Sequence, residues 1–298
     1  MRFSVWPGPG NTWQSTLEVA RHAEATGWDG IWYADHFMPN TPTAEGPTNE
    51  SWTTIAALAA AVPRIRIGTL VTGNTYRHPA VLAKMAAGVD IISGGRLVLG
   101  LGAGWQENEH RAYGIEFSTV GGRLRRLEEA CQVIRSLFEN PRTTFNGRYY
   151  QLHDAPLEPK PVQAHVPLLI GGGGEKVTLR ITAKYADEWN IWGTPQMLRD
   201  KMVVLDQHCE AIGRDPSTIT RTAVALLMLT SDQEAVQRAR SSGRPVVAGN
   251  VDQVRETIAE YQAAGIGEFI VPDFTLGTGE QRQAVLDRFI SEVAPHFR

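Results

Sequence analysis

Apolar and polar positions alternate in a regular way along the whole chain, short β-rich runs giving way to longer stretches with helical period. The β-rich runs are Phe3–Trp6, Gly30–Ala34, Ile65–Val71, Leu97–Leu101, Leu168–Ile170, Glu188–Ile191, Thr222–Leu229 and Phe269–Val271. Amphipathic stretches lie between them, among them Thr16–Thr26, Thr54–Ala61, Val81–Ile92 and Arg123–Phe138. Near-continuous apolar strands bounded by glycine and proline suit a parallel sheet covered on both faces. Eight successive strand–helix units predict an α/β fold closed into a (β/α)8 TIM barrel rather than an open sheet. Pro79 stands where the third helix would begin, and Gly27 where the first would stop in a left-handed turn.

One segment breaks the alternation. Thr143–Tyr150 carries two β-prone runs around Asn146-Gly147, which predicts a hairpin, and prolines crowd the residues that follow. Residues 140–166 therefore read as an insertion at the C-terminal face, between the fourth and fifth units of one domain spanning 1–298.

Composition narrows the classes. With 298 residues, 42% hydrophobic and 20% charged, the chain has the balance of a packed globular protein and the length of one large barrel. A net charge of −3 with no basic stripe argues against nucleic acid or an anionic membrane as partner. No apolar run approaches the roughly 20 residues that span a bilayer, and the N-terminus lacks a signal-peptide core. Cys131 and Cys209 have no partner at metal-ligand spacing, as expected of reduced thiols in a cytoplasmic protein. No cluster of metal spacing is present, so no metal is expected.

Ligands of such a barrel bind where strands end at the C-terminal face. Trp6 follows the first predicted strand, Asp35-His36 the second, Trp105 the fourth and Trp192 the sixth. Trp6, Trp105 and Trp192 would surround one cavity suited to a flat aromatic ligand. After the fifth strand, Gly171–Gly174 precede a helix. Close backbone approach and a positive helix end make a phosphate site there, the bland alternative being a tight turn. Gly100-Leu101-Gly102-Ala103-Gly104 looks like a dinucleotide fingerprint, but its spacing and its place on the fourth strand favour close backbone packing instead. Asp35-His36 reads equally as a proton-handling pair or as a capping aspartate beside a satisfied histidine. His78, before Pro79, reads as structural.

Several segments together resemble the luciferase-like family of flavin and deazaflavin oxidoreductases. They are Ile67–Pro79, Ile92–Leu97, Leu99–Trp105, Arg126–Glu129, Ile170–Gly174 and Ala186–Asn190, and their wording is nearest the branch that uses coenzyme F420. The resemblance implies hydride transfer between F420 and a small organic substrate, more readily reduction of an unsaturated or carbonyl group, by a barrel that is often a homodimer. It implies that His36 is catalytic and that Asp35, Leu70, Val71, Thr72, Gly104, Asn108, Gly172, Gly173 and Gly174 bind the cofactor. Leu70–Val71 matches a cis bond forming a bulge behind the ring, and the glycines match the phosphate loop. Trp6, Trp105 and Trp192 would form the substrate pocket. Trp105 departs from the sugar-phosphate dehydrogenase branch, which carries a catalytic glutamate there, so that oxidation is not expected. Arg77, Lys84, Lys176 and Arg180 are the cations expected to meet an acidic cofactor tail, and Met38–Glu50 and Asn140–Val166 are the loops expected to recognise substrate. The rivals are an FMN-dependent monooxygenase on the same barrel, a non-catalytic deazaflavin-binding protein and a Rossmann dehydrogenase.

Overall fold

The structure, a computed structural model, describes every residue of the chain except Pro42, so one position of the expected recognition loop Met38–Glu50 lies outside the described residues. Eight parallel strands form its centre: β1 Arg2–Trp6, β2 Gly30–Tyr33, β3 Arg66–Thr69, β4 Leu97–Gly102, β5 Leu168–Gly171, β6 Glu188–Trp192, β7 Thr220–Val224 and β8 Glu268–Pro272. Each pairs with the next, and β8 pairs with β1 from Arg2↔Glu268 to Trp6↔Pro272, so the sheet closes into the expected barrel. Closure excludes the open sheet of a Rossmann dehydrogenase.

Alternation along the strands decides what fills the interior. Trp32, Val98, Leu169, Val224 and Ile270 point inward and pack with Trp6 and Leu70, while a larger apolar layer lies between barrel and helices. Gly68 makes room for the indole inside, since a Cβ there would sit 2.5 Å from the Trp32 ring. At the N-terminal end of the barrel the buried Glu268 carboxylate accepts from Ser4 Oγ at 2.7 Å, Trp32 Nε1 at 2.8 Å and Arg66 Nη1 at 2.6 Å. Arg66 also pairs with Glu188. A charge buried this deeply is tolerable only when its lone pairs are met in this way.

Helix ends follow the sequence punctuation. Helix α1 (Trp13–Thr26) stops at Gly27 with φ 89°, α2 runs Ser51–Ala61, and α3 (Pro79–Ser93) begins with Pro79 after His78, whose ring caps Ala80 N–H. The hairpin forms from Arg142–Asn146 and Gln151–Pro156, antiparallel, but Asn146 pairs with Gln151 within it, so the turn is Gly147–Tyr150 and the residues after Gly147 expected as strand lie in the turn.

Two predicted strands differ. Thr222–Leu229 is not one strand: β7 ends at Val224, level with the end of β6 at Trp192. Leu226–Leu229 turns away and pairs in parallel with Val246–Gly249, a strand bounded by Pro245 and missed in the sequence. Ile65–Val71 is also cut short. Pairing stops at Thr69, the Leu70–Val71 bond is cis, and Thr72–Gly73 resume against Leu101–Gly102.

Candidate active site

The cavity exists because glycines stand at the ends of β4 and β5. A Cβ on Gly100 would lie 1.9 Å from Thr69 O, one on Gly102 2.7 Å from Val71 Cγ2, and one on Gly171 2.9 Å from Val71 Cγ1. Their absence lets the Leu70–Val71 bulge press into the barrel mouth. Close packing, and no dinucleotide role, accounts for the Gly100–Gly104 run. Above the bulge lies a mostly apolar cavity of about 620 Å³, lined from successive strand ends. Trp6 comes from β1, Asp35 and His36 from β2, Leu70, Val71 and Tyr76 from β3, Gly104 and Trp105 from β4, Gly172 and Gly174 from β5, and Trp192 from β6. Of the predicted site residues, ten therefore share one space: His36, Asp35, Leu70, Val71, Gly104, Gly172, Gly174, Trp6, Trp105 and Trp192.

Three expected cofactor residues do not line it. The buried Thr72 hydroxyl donates to Thr69 Oγ1 at 3.0 Å and accepts from Trp52 Nε1 on α2 at 3.2 Å. Asn108 donates to Pro39 O and accepts from Glu109 N–H, which ties two loops together. Gly173 packs against β6, its Cβ position 2.2 Å from Ile191 Cδ1.

His36 is held by a residue that sequence reasoning passed over. Helix α4 (Glu107–Ala112) brings the fully buried Glu109 to 2.8 Å from His36 Nδ1, and the same carboxylate accepts from Phe37 N–H at 2.7 Å and from the Tyr76 hydroxyl. Burial opposes the charge of Glu109, but the bonds from His36, Phe37 and Tyr76 together outweigh it and hold the carboxyl below its ordinary range. Burial, reinforced by Glu109, pushes the Tyr76 phenol well above its ordinary value. An ionised carboxylate only accepts, so Nδ1 carries a proton and Nε2 is the nitrogen left for a ligand. The available signal was Asn108-Glu109 opening a helix after the fourth strand, but its partner emerges only from the fold. Trp105 stands edge-on to His36 with ring centroids 5.5 Å apart.

Asp35 plays another part. Both its oxygens are taken by Arg77, Nη1 to Oδ2 at 2.6 Å and Nη2 to Oδ1 at 3.1 Å, and Arg77 also meets Glu50 at 2.5 Å. Burial pushes the Asp35 carboxyl up against the opposing pull of Arg77. Arg77 is thus spent inside the protein, as is Arg180 on Glu128, whereas Lys84 donates only to Glu158 O at the surface. Of the four cations expected to meet an acidic tail, Lys84 and Lys176 have no ion pair among the described residues.

The fifth-strand loop fits an anion. Gly172 has φ 123° and Gly174 leaves no room for a Cβ, which would lie 2.8 Å from Thr178 Oγ1. Helix α6 (Thr178–Tyr185) follows with no side-chain cap and no acidic residue in its first turn; Leu179 N–H donates to Gly174 O at 3.0 Å, and the Thr178 and Arg180 N–H groups have no partner among the described residues. Across the cavity, Trp6 packs on Trp192 with centroids 5.7 Å apart, and its Nε1–H is buried without a partner. An orphaned donor and an uncapped glycine cradle in one space suit a polar, phosphorylated ring system.

A closed barrel whose mouth joins an aromatic cavity, a carboxylate-anchored histidine and a glycine anion loop has the build of a cofactor-using barrel enzyme. Comparison with known proteins sharpens this. Residues 1–249 match the family described as luciferase-like monooxygenase. An F420-dependent glucose-6-phosphate dehydrogenase of Kineococcus radiotolerans is 32% identical across 94% of this chain and 92% of its own length. An F420-dependent hydroxymycolic acid dehydrogenase of Mycobacterium tuberculosis is 32% identical across 78% of this chain and 64% of its own. Among solved structures, an F420-dependent secondary alcohol dehydrogenase in complex with an F420–acetone adduct superposes with a TM-score of 0.87 at 23% identity, covering 100% of this chain and 99% of that one. The chain belongs to the luciferase-like monooxygenase family.

Proposed function

We propose that this protein is an F420-dependent oxidoreductase that moves a hydride between the deazaflavin and a small organic substrate. The observation that carries the reading is one cavity joining the Gly172–Gly174 anion cradle to a histidine fixed by a buried carboxylate. The names of its relatives support it. When bound, the deazaflavin supplies two-electron hydride chemistry. Gly172, Gly174 and the α6 N-terminus hold the phosphate, the Leu70–Val71 bulge backs one face of the ring, and Trp6 offers its free N–H. His36 gives a proton to, or takes one from, the substrate atom next to the hydride-accepting one. Trp6, Trp105 and Trp192 shield that step from water. Trp105 cannot act as an acid, so the oxidation named for the glucose-6-phosphate relatives is not assigned here.

Titration of the apoprotein with F420 and with FMN tests the reading. F420 is expected to bind at least about tenfold tighter, which is about 1.4 kcal/mol. Equal or tighter FMN binding would overturn the reading in favour of a flavin monooxygenase. Tight F420 binding with no turnover of enones, quinones or imines would favour a deazaflavin-binding protein without catalysis.

The same reading extends to assembly and location. Val81 and Ile92 of α3 are 54% and 51% exposed, an apolar outer face that suits burial in a homodimer. Light scattering on a sizing column measures it. Two buried, unpaired cysteines suit the reducing cytoplasm, and no described helix is long and apolar enough to cross a membrane.

A further inference from the structure

One charged side chain of the cavity has no charged partner. Arg123, on the first turn of helix α5 (Val120–Glu139), is 7% exposed and lines the cavity beside Gly104 and Trp105. Its guanidinium donates to main-chain carbonyls only: Nε to Gly104 O at 3.0 Å, Nη1 to Phe117 O at 3.1 Å and to Ser118 O at 2.6 Å. It also lies 3.8 Å above the Phe117 ring. Nη2 has no protein partner, and no carboxylate pairs with the group among the described residues. Arg282, the one other arginine buried to this degree among the described residues, meets a carboxylate, as do the half-buried Arg66 and Arg77. Arg96 is held by carbonyls alone too, but it bonds Ala59 O and Ile65 O and does not line the cavity. Carbonyl dipoles orient Arg123, and Glu107 favours its charge from a distance without a contact ion pair, but burial outweighs this and makes the charge costly.

The position of Arg123 says what would cancel it. β4 and β5 are neighbours in the barrel, so Arg123 on the β4 side faces the same end of the cavity as the Gly172–Gly174 cradle on the β5 side. The α5 N-terminus carries no acidic residue in its first turn, which adds to the positive field there. Val120, one turn of chain away, is 64% exposed, so this end opens toward solvent. With the phosphate on the cradle, the chain of atoms that continues beyond it would leave past Arg123.

We propose that Arg123 is a second anion subsite, which binds a carboxylate of the glutamyl tail that extends beyond the F420 phosphate. The subsite rests on the deazaflavin reading above. It replaces Arg77 and Arg180, whose charges are already met by carboxylates within the protein. FMN ends at its phosphate, so this contact is one that only the tailed cofactor makes.

The test measures dissociation constants by deazaflavin fluorescence for three probes: F420, its phospholactyl form without glutamate, and the riboside without phosphate. A charge-assisted bond of about 1.5–3 kcal/mol predicts that the wild type binds F420 about 10–100-fold tighter than the glutamate-free form. Arg123→Gln is expected to abolish that preference and leave the other two constants unchanged, with Arg123→Lys retaining part of it. Because Arg123 also braces Gly104 and Ser118, melting temperatures accompany each variant. An equal loss for all three probes, or no loss for F420, would overturn the subsite and leave Arg123 a brace. A wild type that binds none of the three overturns the cofactor reading, and the subsite with it.

Discussion

Replacing Glu109 by glutamine tests whether the His36 geometry is functional. The substitution keeps size and shape but removes the charge that three donors share. The amide oxygen, placed at Oε2, can still accept from Phe37 N–H, while the amide nitrogen at Oε1 turns a donor toward both His36 Nδ1 and the Tyr76 oxygen and reverses the tautomer. One charge-assisted bond of about 1.5–3 kcal/mol becomes a neutral one of about 0.5–1.5 kcal/mol, a loss of about 1–2 kcal/mol. If that energy supports the protonated imidazole during the reaction, kcat falls about 5–30-fold, at 1.36 kcal/mol per factor of ten. The cofactor constant should stay unchanged, because Glu109 does not line the cavity. The assay is steady-state kinetics with reduced F420 on Glu109→Gln, His36→Ala and the double variant. Glu109 acting through His36 makes the effects non-additive, so Glu109→Gln should cost little once His36 is gone. The same cost in both backgrounds would refute the reasoning and leave Glu109 a fold residue.

His36→Ala by itself should lower kcat about 10²–10⁴-fold with cofactor binding intact, the span of a general acid or base, as read by turnover beside fluorescence titration. Gly172→Val should weaken F420 binding, since φ 123° is a conformation a branched residue resists, and a folded variant with wild-type affinity would return the loop to a plain turn. Glu268→Ala should destabilise the barrel by about 3–5 kcal/mol in denaturant unfolding, because it strips a buried carboxylate from Arg66, Ser4 and Trp32 at the end remote from the cavity. Glu50, Glu109, Asp187 and Glu268 are all held below their ordinary values, burial being outweighed by their donors. The folded state then binds fewer protons than the unfolded, so their stabilisation is present above the ordinary glutamate value of 4.5 and is lost as pH falls through the folded values. Asp35, Glu188 and Asp273 are raised by burial and act with the opposite sign, so the test is a difference: on acidification through that window Glu109→Gln should lose less melting temperature than the wild type.

The barrel was legible because strand and helix periods are properties of neighbouring residues. Gly27 and Pro79 acted locally, and the structure puts each to the expected use, while the expected hairpin forms with its turn displaced to Gly147–Tyr150. The end of β7 was not legible, because it depends on where β6 stops, and Leu226–Leu229 is as apolar as a barrel strand. A family motif likewise gives chain position and not side-chain direction. Thr72 and Gly173 sit at the expected places in the chain, yet one turns to Trp52 and the other packs on Ile191.

The same limit explains why the ionic arrangement of the site could not be read in advance. Asp35 and Arg77 are 42 positions apart, and His36 and Glu109 are 73 apart, so each pair exists only after the barrel closes. Once paired, their chemistry changes: Asp35 stops being a free acceptor, Arg77 stops being a free cation, and His36 gains a fixed tautomer. What survives pairing is a short set of groups with unmet capacity. His36 Nε2, the Trp6 N–H, the uncapped start of α6 and Arg123 are the ones that face the cavity or its wall. Three of these offer positive charge or hydrogen-bond donors to an anionic, aromatic ligand, and the fourth stands edge-on to Trp105 at the cavity wall. Residual capacity, counted after the internal pairs are subtracted, is therefore a better guide to the ligand here than the inventory of charged residues that the sequence offers.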